Sequence, residues 1–282
     1  MRKTTIAALA AVSMIAVSAC KQTTTGENAA TSENAAAPVA AAATGIDGTW
    51  KADIDSVQID QKPDEYLLQA GKYSCKSCAP SYSVAADGAF HPVSLPYADS
   101  ISVKVDDDHN ITRTSKKGGR PVGETKMSVS ADGNTLTGSF TDTSAENAPP
   151  TKGEYSETRV RPAPAGAHVL SGLWKPGKLS NFNAEALTFT YKVDGDMFHY
   201  SSPSGYSYDA KLDGPDVPIK GDIAGTTAAV KKVGDNAYEE TDKRDGKVVS
   251  VTTFTVAADG KLNVASEDKT NGSTTKWSAT RS

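Results

Sequence analysis

Cysteine is scarce in this sequence, which has three among its 282 residues. So small a number excludes a scaffold built from several disulfides. Positive charge is not in excess either, because 30 Lys and Arg face 34 Asp and Glu and the formal net charge is −4. A nucleic-acid partner requires clustered positive charge, so we expect none. The content of 38% hydrophobic residues is that of a globular protein, long enough for one large or two small domains.

The common catalytic motifs are missing as well. The sequence has no Gly-x-Ser-x-Gly turn, no His-Glu-x-x-His helix and no Gly-rich loop between a strand and a helix. Its four histidines share no spacing that would suit a metal ion. We therefore expect a protein that is not an enzyme, with no catalytic residues, no cofactor and no resident metal.

Long hydrophobic runs are confined to the N-terminus. Arg2 and Lys3 precede an apolar run over residues 6–17. This run is too short to span a bilayer stably and is typical of a secretory signal peptide. We assign residues 1–19 to that signal peptide.

The apolar run ends in a motif that resembles the bacterial lipobox. Val17, Ser18 and Ala19 stand before Cys20, and the resemblance implies that Cys20 becomes the acylated, palmitate-bearing N-terminus of the mature chain. Lys21 follows, in place of the Asp that retains lipoproteins in the inner membrane of enteric bacteria. The resemblance therefore favours an outer-membrane lipoprotein that faces the periplasm. An ordinary signal peptide cut after Ala19, with Cys20 left free, is the alternative.

The segment after the leader is predicted to be a tether. Residues 20–45 begin with the lipidated Cys20 and are rich in Ala, Thr, Ser, Asn and Glu, with no aromatic residue. Such a segment cannot bury enough apolar surface to offset the entropy lost on ordering, so we expect disorder. An Ala-rich helix is the alternative, but Gly26 and Pro38 argue against it.

An internal repeat is the most informative feature of the remaining chain. Gly48-Thr49-Trp50-Lys51 recurs as Gly172-Leu173-Trp174-Lys175, and Val129-Ser130-Ala131-Asp132-Gly133 recurs as Val256-Ala257-Ala258-Asp259-Gly260. We predict a tandem duplication, with one unit over residues 46–162, a linker over residues 163–169 and a second unit over residues 170–282.

Both units show the period-two alternation of half-buried strands. In the second unit, Leu187, Phe189, Tyr191 and Val193 alternate with polar residues before an Asp194-Gly195 turn. Strands with one apolar face need a closed or packed arrangement to cover that face and protect the edges. The predicted fold class is all-β, with two tandem small up-and-down β-barrels. A β-sandwich is the alternative.

The ends of the units resemble the calycin superfamily, which includes the lipocalins. A Gly-x-Trp on the first strand and an Arg on the last strand carry this resemblance, which implies that the Trp packs against the Arg at the closed end of the barrel. We expect Trp50 to pair with Arg159, and Trp174 to pair with Arg281. The tandem arrangement is also similar to duplicated outer-membrane lipoproteins of alphaproteobacteria, a resemblance that implies location and fold but no activity.

Cys75-Lys76-Ser77-Cys78 occurs in the first unit alone. With Cys20 lipidated, Cys75 and Cys78 remain as a pair in an oxidising compartment, where a structural disulfide is the favoured interpretation. A redox-active pair and a copper(I) site stay open as alternatives. The combination of anchor, tether, barrel and Cys-x-x-Cys resembles enterobacterial lipoproteins of copper resistance and envelope-stress signalling.

Four aromatic residues cluster in the second unit, namely Phe198, Tyr200, Tyr206 and Tyr208. They fit a barrel core, or alternatively a binding surface for a glycan or an acyl chain. The leading hypothesis is a non-enzymatic, lipid-anchored periplasmic module that binds a hydrophobic small molecule or acts as a scaffold for another envelope protein. The alternative is a copper- or redox-sensing lipoprotein that acts through Cys75 and Cys78.

Overall fold

The computed structural model describes residues 45–282. The predictions about the signal peptide, the lipidated Cys20 and the tether as far as residue 44 lie outside the described residues. Within residues 45–282, no helix has the length and apolar character needed to cross a membrane.

Twenty β-strands make up most of the described chain. The first ten are β1 (Gly48–Asp60), β2 (Asp64–Gln69), β3 (Lys72–Cys75), β4 (Tyr82–Ala85), β5 (Asp87–Leu95), β6 (Ala98–Val105), β7 (Asn110–Lys117), β8 (Arg120–Val129), β9 (Thr135–Asp142) and β10 (Thr151–Arg161). The second ten are β11 (Gly172–Ser180), β12 (Thr188–Asp194), β13 (Met197–Ser201), β14 (Ser207–Lys211), β15 (Val217–Pro218), β16 (Thr227–Gly234), β17 (Ala237–Arg244), β18 (Lys247–Val256), β19 (Leu262–Asp268) and β20 (Ser273–Arg281). The one helical element within residues 45–282 is a 3₁₀ turn at Ala184–Ala186.

The strands form two antiparallel sheets of ten strands, each curled into a nearly closed barrel. The first barrel has the strand order β4-β3-β2-β11-β10-β9-β8-β7-β6-β5. The second barrel has the order β14-β13-β12-β1-β20-β19-β18-β17-β16-β15. The edge strand β4 contacts β5, and β14 contacts β15 and β16, so the two edges of each sheet adjoin. The prediction of an all-β fold with two barrels is confirmed.

Turn chemistry and side-chain alternation explain why these segments form hairpins. In β8, the buried Thr125, Met127 and Val129 alternate with exposed residues, as expected for a strand with one face in the core. Gly118 and Gly119 precede β8 with φ values of 58° and 77°. A two-residue turn with both φ values positive matches the twist of the flanking strands, which is why glycine suits these positions.

The first strand of each repeat is exchanged between the barrels. β1 pairs with β12 and β20 in the second barrel, whereas β11 pairs with β2 and β10 in the first. The chain therefore passes from one barrel to the other at residues 61–63 and again at residues 181–187. The predicted contiguous units need a correction, because each barrel takes its first strand from the other repeat. Residues 163–169, predicted to be a linker between the units, connect β10 to β11 within the first barrel.

The exchange also changes the predicted tryptophan–arginine pairs. Trp50 lies opposite Arg281, whose guanidinium carbon is 4.3 Å from the centre of the Trp50 ring. Trp174 lies opposite Arg159, at 4.0 Å. The expected partners of the two tryptophans are thus reversed, although the predicted packing of a Trp against a terminal Arg occurs in both barrels.

Each tryptophan is fixed at one end of its barrel by a backbone contact. Both indole rings are fully buried. Trp50 Nε1 donates to the carbonyl oxygen of Ile46, and Trp174 Nε1 donates to that of Leu170, both at 2.8 Å. This end of each barrel is therefore filled by side chains.

Candidate functional site

A cavity of about 160 Å³ lies in the second barrel, away from Trp50. One buried water needs only roughly 10–15 Å³ of such space, so the cavity has room for more than an isolated water. Most of its wall comes from strands of the second barrel. Cys78, Ala79, Pro96 and Tyr97 of the first barrel complete the wall, so the cavity lies where the two barrels meet.

Aromatic rings form one side of the cavity. The centre of the Tyr191 ring is 5.6 Å from that of Tyr200 and 5.1 Å from that of Phe254, and the centres of Tyr200 and Tyr208 are 5.3 Å apart. Their strands position them, because Tyr191 pairs with Tyr200, and Tyr200 pairs with Tyr208, across β12, β13 and β14. Aromatic rings at such separations pack favourably. We call Tyr191, Tyr200, Tyr208 and Phe254 the aromatic wall.

Two carboxyl groups of β17 face the aromatic wall. Glu240 and Asp242 are two residues apart on one strand, so their side chains lie on the same face, and both line the cavity. The Tyr208 hydroxyl donates a hydrogen bond to Glu240 Oε2. Ser250 Oγ donates to Asp242 Oδ2 at 2.7 Å, whereas the buried Asp242 Oδ1 has no hydrogen-bond partner. We call Glu240 and Asp242 the carboxyl pair.

Burial makes the ionised form of both carboxyl groups unfavourable. It raises the pKa of Glu240 well above its usual value, and the neighbouring Asp242 raises that pKa further. Burial also raises the pKa of Asp242, although the hydrogen bond from Ser250 lowers it. The carboxyl pair therefore retains a proton to higher pH than exposed carboxyl groups do. Burial likewise raises the pKa of Tyr208, so its phenol stays protonated and can donate to Glu240.

Polar side chains also line the cavity. Asp222 Oδ2 accepts the backbone N–H groups of Ala224 and Thr226 at 3.1 and 2.7 Å. Arg244 Nη2 donates to Thr226 Oγ1 at 3.1 Å. The Tyr206 hydroxyl lies 2.9 Å from Ser144 Oγ of the first barrel, so this side of the cavity is also tied to the neighbouring barrel.

The two cysteines predicted as a pair form a disulfide. Cys75 and Cys78 are bonded, with their Cα atoms 5.4 Å apart. Cys75 is fully buried in the core of the first barrel, and Cys78 is half-buried and lines the cavity. The loop between them is held by Ser77 Oγ, which donates to Asp64 Oδ1 at 2.8 Å. The disulfide thus fixes the part of the first barrel that completes the cavity wall.

The structure brings together three of the four aromatic residues predicted as a ligand surface. Tyr200, Tyr206 and Tyr208 line the cavity. Phe198 does not, because it is fully buried in the core, with its ring centre 6.3 Å from that of Tyr208. For Phe198, the prediction of a core position fits the structure, and the alternative of a ligand surface does not.

Sequence reasoning missed the carboxyl pair and Tyr191 as members of the site. A signal for the carboxyl pair was present, since Glu240 and Asp242 follow Tyr238 at period two on a strand. Tyr238 is buried, so the same alternation places both acids on the inner face. Burying an acidic side chain on an inner face costs free energy unless its charge is paired or its polar atoms are hydrogen-bonded. Two acids at such positions therefore point to a site.

No family model, no curated protein and no solved structure matches this chain. Residues 45–282 also contain no group of three or more His, Cys, Asp or Glu side chains arranged to hold a metal ion. The site therefore has to be interpreted from its own geometry.

Proposed function

We propose that this chain is a lipid-anchored periplasmic binding protein, without enzymatic activity, that holds a small amphipathic ligand in the cavity of the second barrel. The observation that carries the proposal is the cavity itself, walled by aromatic rings and by a few polar groups. Small-molecule sites in proteins have this character, with apolar and aromatic walls and a small number of polar groups that orient the ligand. The mouth of a small barrel is a common place for them.

The location rests on the sequence of the leader. The basic start, the short apolar run and the small residues before Cys20 support export and acylation. Several acyl chains on one cysteine would give stable anchoring, which a single chain does not. Labelling of growing cells with radioactive palmitate tests the anchor. The label should enter the wild-type protein and not the Cys20→Ser variant, and equal labelling of the two would contradict the proposal.

A cavity-filling variant tests the binding function. Thr252 lines the cavity on β18, whereas its neighbour Thr253 lies on the other face of the strand. Wild-type protein and Thr253→Phe, purified from membranes and extracted with organic solvent, should release a small molecule detectable by mass spectrometry. Thr252→Phe should release little or none while its circular dichroism spectrum remains that of a β protein.

Empty extracts from both the wild type and Thr253→Phe, together with no shift in melting temperature on adding amphipathic compounds, would favour the scaffold version of the hypothesis. In that version the outer surface contacts another envelope protein, and the cavity holds water.

A second candidate function is copper or redox sensing through the disulfide. The half-buried position of Cys78 at the cavity favours it, because this sulfur is more accessible than that of the fully buried Cys75. If the candidate is right, mild reduction of the folded protein should open the Cys75–Cys78 bond, and titration with copper(I) should then show one tight site. This candidate would be excluded if the disulfide is reduced only when the protein is unfolded. It would also be excluded if the reduced protein does not bind copper(I).

A further inference from the structure

The cavity of the second barrel has an excess of acidic groups. Glu240, Asp242 and Asp222 line it, and Arg244 is the basic residue in its wall. Asp222 is engaged by backbone N–H groups of its own loop, and Arg244 Nη2 is engaged by Thr226, while the buried Arg244 Nε donates no hydrogen bond. With three carboxyl groups against one guanidinium group, the carboxyl pair gives the cavity its excess of acceptors for a ligand.

The carboxyl pair lacks a positively charged hydrogen-bond partner in residues 45–282. Its hydrogen-bond donors from other residues are the neutral hydroxyl groups of Tyr208 and Ser250, and the two carboxyl groups also share a hydrogen bond with each other. No other residue donates to the buried Asp242 Oδ1. Buried carboxylates are ordinarily compensated by a cation or neutralised by a proton. A ligand that brings a positive charge next to the pair would relieve the cost of ionising both groups, whereas a neutral ligand would not.

The aromatic wall favours an organic cation over a metal ion. Neighbouring rings along the wall that the carboxyl pair faces have their centres 5.1–5.6 Å apart. Aromatic faces attract ammonium groups electrostatically, and their apolar surface packs against hydrocarbon. A small inorganic cation needs several oxygen ligands around it instead, and residues 45–282 contain no group of three or more His, Cys, Asp or Glu side chains arranged to hold a metal ion.

We propose that the cavity binds a small organic ammonium ion, with its nitrogen held by Glu240 and Asp242 and its hydrocarbon part packed against the aromatic wall. This inference rests on the proposed binding function and specifies the chemical class of the ligand. The two carboxyl groups supply acceptors for the N–H donors of the ammonium group. The rings supply the apolar surface that a free acidic cluster would lack.

Three phenyl-substituted probes of similar size and different charge test the inference. They are 2-phenylethylammonium, the neutral 2-phenylethanol and the anion 3-phenylpropanoate, each titrated into the purified protein by isothermal calorimetry at pH 7. We expect the ammonium probe to bind at least tenfold more tightly than the alcohol. The anion should bind more weakly than either, because its carboxylate would lie next to the carboxyl pair and like charges repel.

Matched variants on β17 assign the effect to the carboxyl pair. Glu240→Gln and Asp242→Asn keep the size of each side chain and should each reduce the preference for the ammonium probe over the alcohol by about tenfold. Glu239→Gln serves as the control. Glu239 lies next to Glu240 on the same strand, forms an outer ion pair with Lys231 at 2.8 Å and should leave the preference unchanged.

The outcomes separate this inference from the binding function on which it rests. If the alcohol or the anion binds as tightly as the ammonium probe, the inference is overturned while a binding cavity remains. An unchanged preference in both Glu240→Gln and Asp242→Asn would overturn it as well. If none of the three probes binds and the solvent extracts are also empty, both the inference and the binding function fail.

Discussion

In the first barrel, Arg113 stands on β7 at the position that Glu240 occupies on β17 of the second. The registers show this, because Arg113 pairs with Thr125 on β8 and Glu240 pairs with Thr252 on β18. Both side chains bind a tyrosine of the fourth strand of the repeat, but in opposite directions. Arg113 Nη1 donates to the Tyr82 hydroxyl at 3.1 Å, whereas the Tyr208 hydroxyl donates to Glu240. A tyrosine hydroxyl can act in either role, so the same shell accommodates interior groups of opposite charge.

The closed ends of the two barrels have changed far less than their interiors. Each retains a fully buried tryptophan, an arginine over its ring and a backbone acceptor for its indole N–H. Cys75 of the first barrel, by contrast, stands where the second has Tyr200, since these residues pair with Tyr66 and Tyr191 respectively. The duplicated shell therefore keeps the same closed end in both copies, whereas its interior carries a disulfide in one copy and a cavity lined by the carboxyl pair in the other.

The largest effects should come from the two tryptophans. Trp50→Ala and Trp174→Ala each remove a fully buried ring, and each should lower the free energy of unfolding by about 3–5 kcal/mol, measured by urea denaturation. Hydrogen exchange should locate the damage. Trp50→Ala should increase exchange mainly in β12–β20, and Trp174→Ala mainly in β2–β10. The reason is that each tryptophan packs inside the barrel whose other strands come from the opposite repeat.

The control for the tryptophan variants is Val160→Ala on β10. Val160 is 54% exposed, so its truncation should change the unfolding free energy by no more than about 0.5 kcal/mol. Increased exchange in β2–β10 on truncating Trp50 would show that the first strands are not exchanged.

A smaller loss should follow from replacing the buried cation of the first barrel. Arg113→Met removes the donors to the Tyr82 hydroxyl and to Thr125 Oγ1, the latter at 3.4 Å. Leaving buried polar groups without their partner costs about 1–3 kcal/mol, which urea denaturation would detect. Lys126→Met on β8 is the control, because the Lys126 side chain is exposed. Equal stability of the two variants would mean that Arg113 has no structural role in the first barrel.

The hairpins and the repeat were predictable because they depend on local signals. Turn glycines and period-two alternation can be recognised within short segments, and the Gly-x-Trp motif occurs in both repeats. The exchange of β1 and β11 was not predictable on this basis. Both strands carry the same Gly-x-Trp, and both β10 and β20 carry an arginine that packs on a tryptophan. The side-chain pattern alone therefore does not show whether β1 pairs with β10 or with β20.

The candidate site was predictable in part for a related reason. Tyr200, Tyr206 and Tyr208 are close in sequence, and their clustering was visible before the structure. Glu240 comes from another strand, and its approach to Tyr208 depends on closure of the barrel. Long-range closure of this kind leaves no mark in a local pattern.

The smallest effect, and one of opposite sign, is expected for Glu240. The pKa of this carboxyl group is raised in the folded state by burial and by Asp242. Between its ordinary pKa and the raised pKa, the folded protein binds more protons than the unfolded chain, so stability falls as the pH rises through that window. Glu240→Gln removes the titrating group but retains an oxygen that can accept the Tyr208 hydrogen bond.

Melting curves between pH 4 and pH 8 would measure this effect. Glu240→Gln should raise the melting temperature at pH 8 by roughly 2–4 °C, which corresponds to about 1 kcal/mol, and by less at pH 4. The groups that face Glu240 and remain in the variant are Asp242 and the phenols of Tyr208, Tyr191 and Tyr200, and Arg244 and Asp222 also line the cavity and act on Asp242. Glu239→Gln should leave the pH dependence of wild type in place.

A lower melting temperature for Glu240→Gln at pH 8 would mean that the charge of Glu240 stabilises the empty barrel. A site that holds a cation should become more stable, in the empty protein, when its uncompensated negative charge is removed. A loss of stability would therefore make the carboxyl pair a structural group of the barrel interior, as Arg113 is in the first barrel.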